Sequence, residues 1–290
     1  MRNFFIFPII IFLISPLTPG GAETFLEKQK NFPLELYKRG RYFDSIAEAR
    51  RLQLFYKHEG LNYFIYSAYF RKGEYGTVIN NYQYRDESAE LKLPAALLVS
   101  RSYFEIGNMG GSAGVIENYT YEDAGSFHLD LFNTRIDPFL YADDFQLMKR
   151  EISIADPFLA DDYNFIRLRK ELLARESITS KSPTGAAVMS ALLPGAGQVY
   201  SGYYSAGLLS FISVAAFLAG GVHYKKDGND SRGGVLLFFS GLFYAGNIYG
   251  AYNAASLAND GMLSEYRRSV NSVRAPYDPD RFYDIEKVFR

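Results

Sequence analysis

The hydrophobic pattern is strongest in the last third of the chain, where two apolar runs without a charged residue span 206–224 and 233–257. A bilayer core of about 30 Å needs about 20 apolar residues in a helix, so each run is long enough to cross it. The polar stretch 225–232 between the runs cannot remain in hydrocarbon. The pattern therefore predicts a transmembrane helical hairpin inside a membrane domain at 185–258. The alternative is a hairpin buried in a soluble domain.

A shorter apolar segment, 186–193, precedes the hairpin and stops at Pro194 and Gly195. It is too short to span a bilayer, so we expect an interfacial or re-entrant helix that leads into the hairpin. The residues from Leu193 to Tyr200 read Leu-Pro-Gly-Ala-Gly-Gln-Val-Tyr. They resemble the Leu-Pro-Gly-x-Gly-Gln-x-Tyr motif of a family of small domains with two transmembrane helices. The resemblance covers about 185–257 and implies a membrane module without catalytic residues.

The membrane module has two groups of candidate residues: the motif, and a pair of glycines four residues apart in the second span. Such a small-xxx-small pair lets helices approach closely, so it can seat the first span or a second copy of the chain in a homo-oligomer. Two asparagines in the second span leave a pore or substrate path as a further alternative. The candidates are Pro194, Gly195, Gly197, Gln198, Tyr200, Gly202, Gly246 and Gly250, and the asparagines are Asn247 and Asn253.

The N-terminus has the pattern of a secretory signal peptide at 1–22: a cationic start, an apolar core and small residues before Ala22. Cleavage after Ala22 is the preferred prediction, and an uncleaved anchor is the alternative. In a bacterium, this signal predicts an inner-membrane protein whose residues 23–180 are exported to the periplasm. The hairpin turn with Lys225, Lys226 and Arg232 then faces the cytoplasm, as positive charge favours. The basic residues after the second span favour the opposite orientation.

Three glycines in the exported part, Gly40, Gly73 and Gly107, are 33 and 34 residues apart. Each follows a large apolar pair and precedes another large residue two positions later. This pattern resembles the tetratricopeptide repeat, in which glycine lies between paired helices, and stacked pairs leave a surface for a partner. We therefore predict an all-α fold with an exported helical-repeat domain, and a generic helical bundle is the alternative. Its candidate packing or partner-binding residues are Tyr37, Gly40, Tyr69, Phe70, Gly73, Tyr75, Tyr103, Phe104 and Gly107.

Prolines and aspartates suggest where other helices begin. Pro94 fits the first turn of a helix, and Asp137-Pro138 and Asp156-Pro157 fit a capping aspartate followed by proline. Two adjacent aspartates follow each of these motifs, at 143–144 and at 161–162. We expect those acids to be solvated or to lie near helix starts, because the spacing of a calcium loop is missing. Glycines 110, 111 and 114 predict a weak second helix in the third repeat.

Composition narrows the function. The chain has 290 residues, a formal net charge of -1, no cysteine and three histidines without a ligand spacing. This predicts no nucleic-acid partner, no metal site and no cofactor. Nucleophile, phosphate-loop and dinucleotide motifs are also missing, so we expect a protein that is not an enzyme.

The leading hypothesis is a non-enzymatic, membrane-anchored scaffold or adaptor, whose periplasmic repeats bind a protein or peptide partner in a cell-envelope assembly. Its partners would be that protein and the lipid bilayer. The alternatives are a small oligomeric membrane channel or transport subunit and, less favoured, an envelope hydrolase. The remaining segment, 259–290, is a polar C-terminal tail, part of which is free to order against the repeats.

Overall fold

The computed structural model describes residues 19–82 and 88–289. The predicted all-α fold is confirmed for these residues, which form helices and no strand. The signal segment 1–18 lies outside the described residues. The chain forms two compact units, 1–139 together with 276–290, and 140–275. The predicted change from an exported domain that ends at 180 to a membrane domain that begins at 185 does not coincide with the junction near residue 140, and part of the predicted tail belongs to the first unit.

The first unit is a series of paired helices with repeat-like packing. Consecutive helices from α1 to α6 pack against one another, and α3 also packs against α5. The helices are α1 (Pro19–Lys38), α2 (Tyr42–Leu52), α3 (Gly60–Lys72), α4 (Tyr75–Asn81), α5 (Ala89–Glu105), α6 (Met109–Ile116) and α7 (His128–Ala142), followed near the C-terminus by 3-10 turns at Pro279–Arg281 and Ile285–Val288.

The three glycines predicted to separate helices do so with one geometry. Gly40, Gly73 and Gly107 have φ values of 72°, 83° and 78°, a left-handed conformation that glycine adopts without steric cost. In each turn the glycine N–H donates to the carbonyl three residues back, and the next N–H donates to the carbonyl five residues back. This is the hydrogen-bond pair of a Schellman C-cap, and it turns the chain into the next helix.

A fourth left-handed turn has aspartate in place of glycine. Asp143 follows α7 with φ 57°, the one left-handed residue other than glycine in the described part of the chain. The preceding sequence, Phe139-Leu140, matches the apolar pair ahead of each glycine, and Phe145 matches the large residue two positions beyond. A pattern of evenly spaced glycines does not include this turn. Aspartate tolerates the left-handed region, but its presence in a sequence does not predict that conformation.

The predicted helix starts at Pro94, Pro138 and Pro157 are wrong. All three prolines lie inside helices, in α5, α7 and in α8 (Phe145–Leu159). A proline removes one donor from a helix, and the apolar face of the surrounding turns can offset that loss. The second aspartate of each adjacent pair caps the following helix instead. Asp144 Oδ1 accepts from Leu147 N at 3.0 Å, and Asp162 Oδ1 accepts from Phe165 N at 2.9 Å.

The second unit contains the predicted hairpin. Its remaining helices are α9 (Tyr163–Leu173), α10 (Pro183–Leu192), α11 (Ala196–Tyr200), α12 (Tyr204–Lys226) and α13 (Asp230–Ser272). By length and composition α12 and α13 are able to cross a membrane, and only 17% of the most apolar window of each is buried. A soluble core hairpin would bury most of these side chains, so this exposure favours membrane association.

Candidate membrane motif and peptide-holding surface

The glycines of the membrane motif allow backbone segments to meet. A Cβ atom on Gly195 would lie 2.1 Å from the Gly207 carbonyl oxygen, and one on Gly197 would lie 2.0 Å from the Ala186 carbonyl oxygen. Gly197 therefore fits between α10 and α13, beside a fully buried cluster of Ala186, Ala251 and Ala255. Small residues at this junction let α10 and α11 pack directly on the second span.

A buried polar network closes the break between α10 and α11. Gln198 Nε2 donates to the Asn247 carbonyl at 2.9 Å and to Asn247 Oδ1 at 3.2 Å, while Gln198 Oε1 accepts from Ser190 Oγ at 2.9 Å. Asn247 Oδ1 also accepts from Gly195 N at 2.8 Å, and Asn247 Nδ2 donates to the Ser190 carbonyl at 3.0 Å. Ser190 Oγ accepts from Gly197 N at 2.9 Å.

These hydrogen bonds explain why polar side chains occur among apolar helices. Ser190, Gln198 and Asn247 are at most 5% exposed. A non-helical backbone at membrane depth is tolerated where protein groups satisfy its donors and acceptors. The network does this for the N–H groups of Gly195 and Gly197, so the side chains of Gln198 and Asn247 are structural here. Their polar atoms face the motif backbone, which gives no support to a solvated path through Asn247.

Tyr200 fixes the segment that enters the membrane motif. Lys181 Nζ donates to the Tyr200 carbonyl at 2.7 Å and lies 5.0 Å from the centre of the Tyr200 ring. The Ser182 N–H donates to the Tyr200 hydroxyl at 3.2 Å. Asn259 then bonds the Lys181 backbone twice, accepting from its N–H at 2.7 Å and donating to its carbonyl at 2.9 Å. The polar stretch 176–185 is thus attached to α11 and α13.

The other motif residues have simpler places. Pro194 lies in the break between α10 and α11, and Gly202, with φ 92°, forms the turn into α12. A Cβ on Gly250 would lie 3.5 Å from Gln198 Nε2, whereas one on Gly246 would meet nothing within 4 Å. Gly246 lines an open, mostly apolar cavity of about 650 Å³ between α12 and α13, with Ser210, Ser213 and Asn253 among its few polar residues.

The predicted residues of the repeats are mainly packing groups. Tyr37 is buried, and the Phe70 ring lies 5.1 Å from the Tyr75 ring. Tyr69 accepts a hydrogen bond from Arg50 at 3.3 Å, while the Arg101 guanidinium lies 4.6 Å from the Phe104 ring centre. A Cβ on Gly111 would lie 2.5 Å from Tyr103 Cδ1. Gly111 therefore lets α6 approach α5 closely. This role is additional to the low helix propensity that the three glycines of α6 give it.

The C-terminal segment 276–289 lies on the first helix of successive pairs. Its Tyr277 ring lies 5.0 Å from the Phe70 ring, and its Phe289 ring lies 4.8 Å from the Phe64 ring. Tyr63 donates from its hydroxyl to the Pro279 carbonyl at 2.5 Å. Val288 and Phe289 are almost fully buried, so this half of the segment is part of the hydrophobic core. The expectation that part of the tail orders against the repeats is confirmed.

Charged groups hold the start of the same segment. Arg71 on α3 pairs with Asp278 and, at 2.8 Å, with Asp280. The Tyr37 hydroxyl on α1 donates to Asp280 Oδ1 at 2.6 Å. The guanidinium of Arg101 on α5 lies 5.4 Å from the Tyr277 ring centre, and Arg281 pairs with Asp130 on α7. Helices α1, α3, α5 and α7 therefore all contribute to one surface.

Tyr277 is imperfectly accommodated. Its hydroxyl is buried and has no hydrogen-bond partner among the described residues. Burial raises the pKa of this hydroxyl well above its usual value, so it remains protonated. A buried donor left without a partner costs about 1–3 kcal/mol. This cost offsets part of the ring packing, whereas the buried end of the segment shows no such defect.

Three other acids form ion pairs with arginines. Buried Asp137 pairs with Arg101 at 3.0 Å, Asp156 pairs with Arg169, and Asp143 binds Arg175 through two bonds of 2.6 and 2.7 Å. The hydrogen bonds from Arg175 lower the pKa of Asp143. In the described part of the chain no group of three or more histidine or acidic side chains is arranged to hold a metal ion.

Sequence reasoning missed several residues of both sites. Ser190, Lys181 and Asn259 carried no signal, since each becomes important only through a distant partner. Asn247 is a candidate because it is polar within an apolar span, but the role predicted for it is in a pore. In the tail, the recurring aromatics Tyr277, Phe282, Tyr283 and Phe289 could have indicated a packing segment.

Comparisons of the chain with protein-family models, curated protein sequences and solved structures give no significant match. The two resemblances in the sequence therefore remain predictions.

Proposed function

We propose that this chain is a non-enzymatic, membrane-anchored scaffold, in which tetratricopeptide-like repeats bind a peptide segment of a protein partner. The observation that supports this proposal is the way the first unit holds 276–289. This segment, which contains two short 3-10 turns, is bound by aromatic rings, ion pairs and a backbone carbonyl contact from α1, α3 and α5. A surface that holds one such segment is suited to peptide recognition.

The membrane part of the proposal depends on the exposed apolar helices α12 and α13. We propose that α10 and α11 form a re-entrant element, which the Gln198 and Asn247 network stabilises. We further propose a bacterial inner-membrane location with the repeats in the periplasm, on the basis of the predicted signal peptide.

Peptide binding is tested by panning a displayed peptide library against the full chain in lipid nanodiscs. We expect enriched peptides that bind wild type and lose at least about tenfold in affinity to Arg71→Glu, because a charge-assisted bond is replaced by repulsion. The matched control is Arg39→Glu, in the exposed turn after α1, where the arginine pairs with Glu35 of α1. A library that yields no binder contradicts the scaffold proposal.

Location and topology are tested separately with single cysteines, since the natural chain contains none. Cysteine at Lys226 and cysteine at Glu35 are labelled in intact cells with a reagent that does not cross the inner membrane. The proposed topology predicts labelling at position 35 only. Labelling at 226 only would reverse the orientation without affecting the peptide-binding proposal.

The channel alternative has one supporting feature, the cavity of about 650 Å³ beside Gly246. An oligomeric channel would bring Ser210, Ser213 and Asn253 of several copies around a common path. Ion flux through reconstituted liposomes, abolished by Ser213→Leu but unchanged by Leu218→Ala on the exposed side of α12, would favour this alternative.

A further inference from the structure

The two halves of the C-terminal segment are held in different ways. Within 285–289, the side chains of Ile285, Val288 and Phe289 are buried, at 7%, 0% and 3% exposure. At the other end, Arg71 and Asp278 retain 32% and 47% of their side-chain exposure, and Pro276 is exposed. Exposed ion pairs contribute little to stability. Pro279 is buried and accepts the Tyr63 bond, but the residues around it are held by exposed ion pairs and the Tyr277 hydroxyl has no partner among the described residues, so 277–281 are held less firmly than 285–289.

We infer that residues 277–281 are an internal occupant of the repeat surface, and that a partner segment of the same acidic and aromatic chemistry displaces them while 285–289 stay anchored. This inference rests on the proposed peptide-binding function and names its ligand class. The recognised pattern is an aromatic residue followed by carboxylate, proline and carboxylate. It is the chemistry of Tyr277-Asp278-Pro279-Asp280 in this chain.

Each part of the pattern matches a group on the surface. Arg71 binds both carboxylates, and the Tyr37 hydroxyl donates to the second of them. The central residue is recognised through its carbonyl, which accepts from Tyr63, so proline with its missing N–H fits without losing a bond. Phe70 provides the ring contact for the leading aromatic residue.

The experiment uses the full chain in nanodiscs and a fluorescent peptide with the sequence Tyr-Asp-Pro-Asp-Arg-Phe, which is that of 277–282. Asp278→Asn with Asp280→Asn weakens the internal occupant and leaves the buried end of the segment intact. We expect the peptide to bind this variant at least about tenfold more tightly than wild type, since it no longer competes with a well-paired internal segment. Adding Arg71→Gln should abolish the gain.

Two controls make the result decisive. Glu286→Gln removes the Lys38–Glu286 pair in the other half of the segment and should leave peptide affinity within twofold of wild type. Thermal melting by circular dichroism shows whether the double variant is still folded. A double variant that unfolds, or one that binds the peptide no better than wild type, overturns the inference, because 277–281 would then be structural. If library peptides still bind in an Arg71-dependent manner, the scaffold proposal survives that failure.

Discussion

The turn glycines of the first unit and the motif glycine Gly197 of the second unit are needed for different physical reasons. In the repeats, Gly40, Gly73 and Gly107 have positive φ, and a Cβ on any of them would meet nothing within 4 Å. In the second unit, which contains the candidate membrane spans and is called the membrane unit below, Gly197 has no positive φ, but a Cβ there would collide with a backbone oxygen. The first kind of glycine is required by its own backbone, and the second by its neighbours. Alanine substitutions should therefore have costs of different size in the two units.

The largest effect is expected for Gly197→Ala. The added methyl group would lie 2.0 Å from the Ala186 carbonyl oxygen, and a backbone obstacle moves only if α10 separates from α13. We expect a loss of about 3 kcal/mol or more in the free energy of unfolding of the membrane unit, at the upper end of overpacking costs. Equilibrium unfolding of the full chain in mixed detergent micelles measures it.

The control for Gly197→Ala is Gly246→Ala, at a helical glycine with open space around it. It should be neutral or stabilising by up to about 1 kcal/mol, because alanine has the higher helix propensity. If both variants lose the same stability, close packing at the motif is not the reason for Gly197.

A somewhat smaller effect is expected when the buried polar network is cut. Asn247→Ala leaves the Gly195 N–H and the Ser190 carbonyl without this partner and removes one of the two hydrogen bonds from Gln198 Nε2. Individual bonds of this kind contribute about 0.6–1.7 kcal/mol in membrane helices, so we expect a loss of about 2–3 kcal/mol. The same unfolding measurement applies.

Asn253→Ala is the matched control for the network, since Asn253 lies on the same helix and lines the cavity. We expect a change of less than about 0.5 kcal/mol there. Equal losses at both asparagines would show that polarity along α13, and not the motif network, determines the stability.

A third effect tests the turns of the repeats. Gly73→Ala places a Cβ on a residue with φ 83°, which costs about 1–2 kcal/mol even though the space is open. Gly76→Ala, three residues later in α4 and equally open, should be neutral or slightly stabilising. Chemical denaturation followed by circular dichroism separates the two, and an unaffected Gly73 variant would contradict the conformational argument.

The smallest effect is expected at the turn where aspartate replaces glycine. Asp143→Asn keeps a residue that tolerates φ 57° but removes the charge opposite Arg175. We expect a loss of less than about 1 kcal/mol at pH 7. Because Arg175 lowers the folded-state pKa of Asp143, the contribution is present above the unfolded pKa of about 4 and is lost as the pH falls through the lower folded value.

The difference between wild type and Asp143→Asn should therefore be constant from pH 5 to pH 7 and shrink below about pH 4. Urea titrations of both proteins at several pH values measure it. A difference that grows on acidification would mean that the ion pair with Arg175 is not its origin.

Much of the local structure could be predicted because it depends on single residues or short patterns. The glycine spacing predicted three helical turns, and the uncharged runs predicted α12 close to its observed bounds and the start of α13, whose helix continues beyond the apolar run to Ser272. The prolines were misleading because one missing donor does not end a helix whose other face is buried. The tail is predicted to be polar because its charges are more numerous than its aromatics, whereas both its aromatic rings and its charges contact the repeats.

The sequence by itself determined the helical class, the length of the apolar spans and the positions of the glycine turns, because backbone conformation and apolar length are local properties. Tertiary structure decided which glycines are needed for close approach, which groups Asn247 bonds, and where 276–289 lie. Many of those properties depend on partners that are far away along the chain, 49 residues for the Gln198–Asn247 bond and 216 residues for the Tyr63–Pro279 bond. Only folding brings such pairs together, since no local pattern records the distance between them.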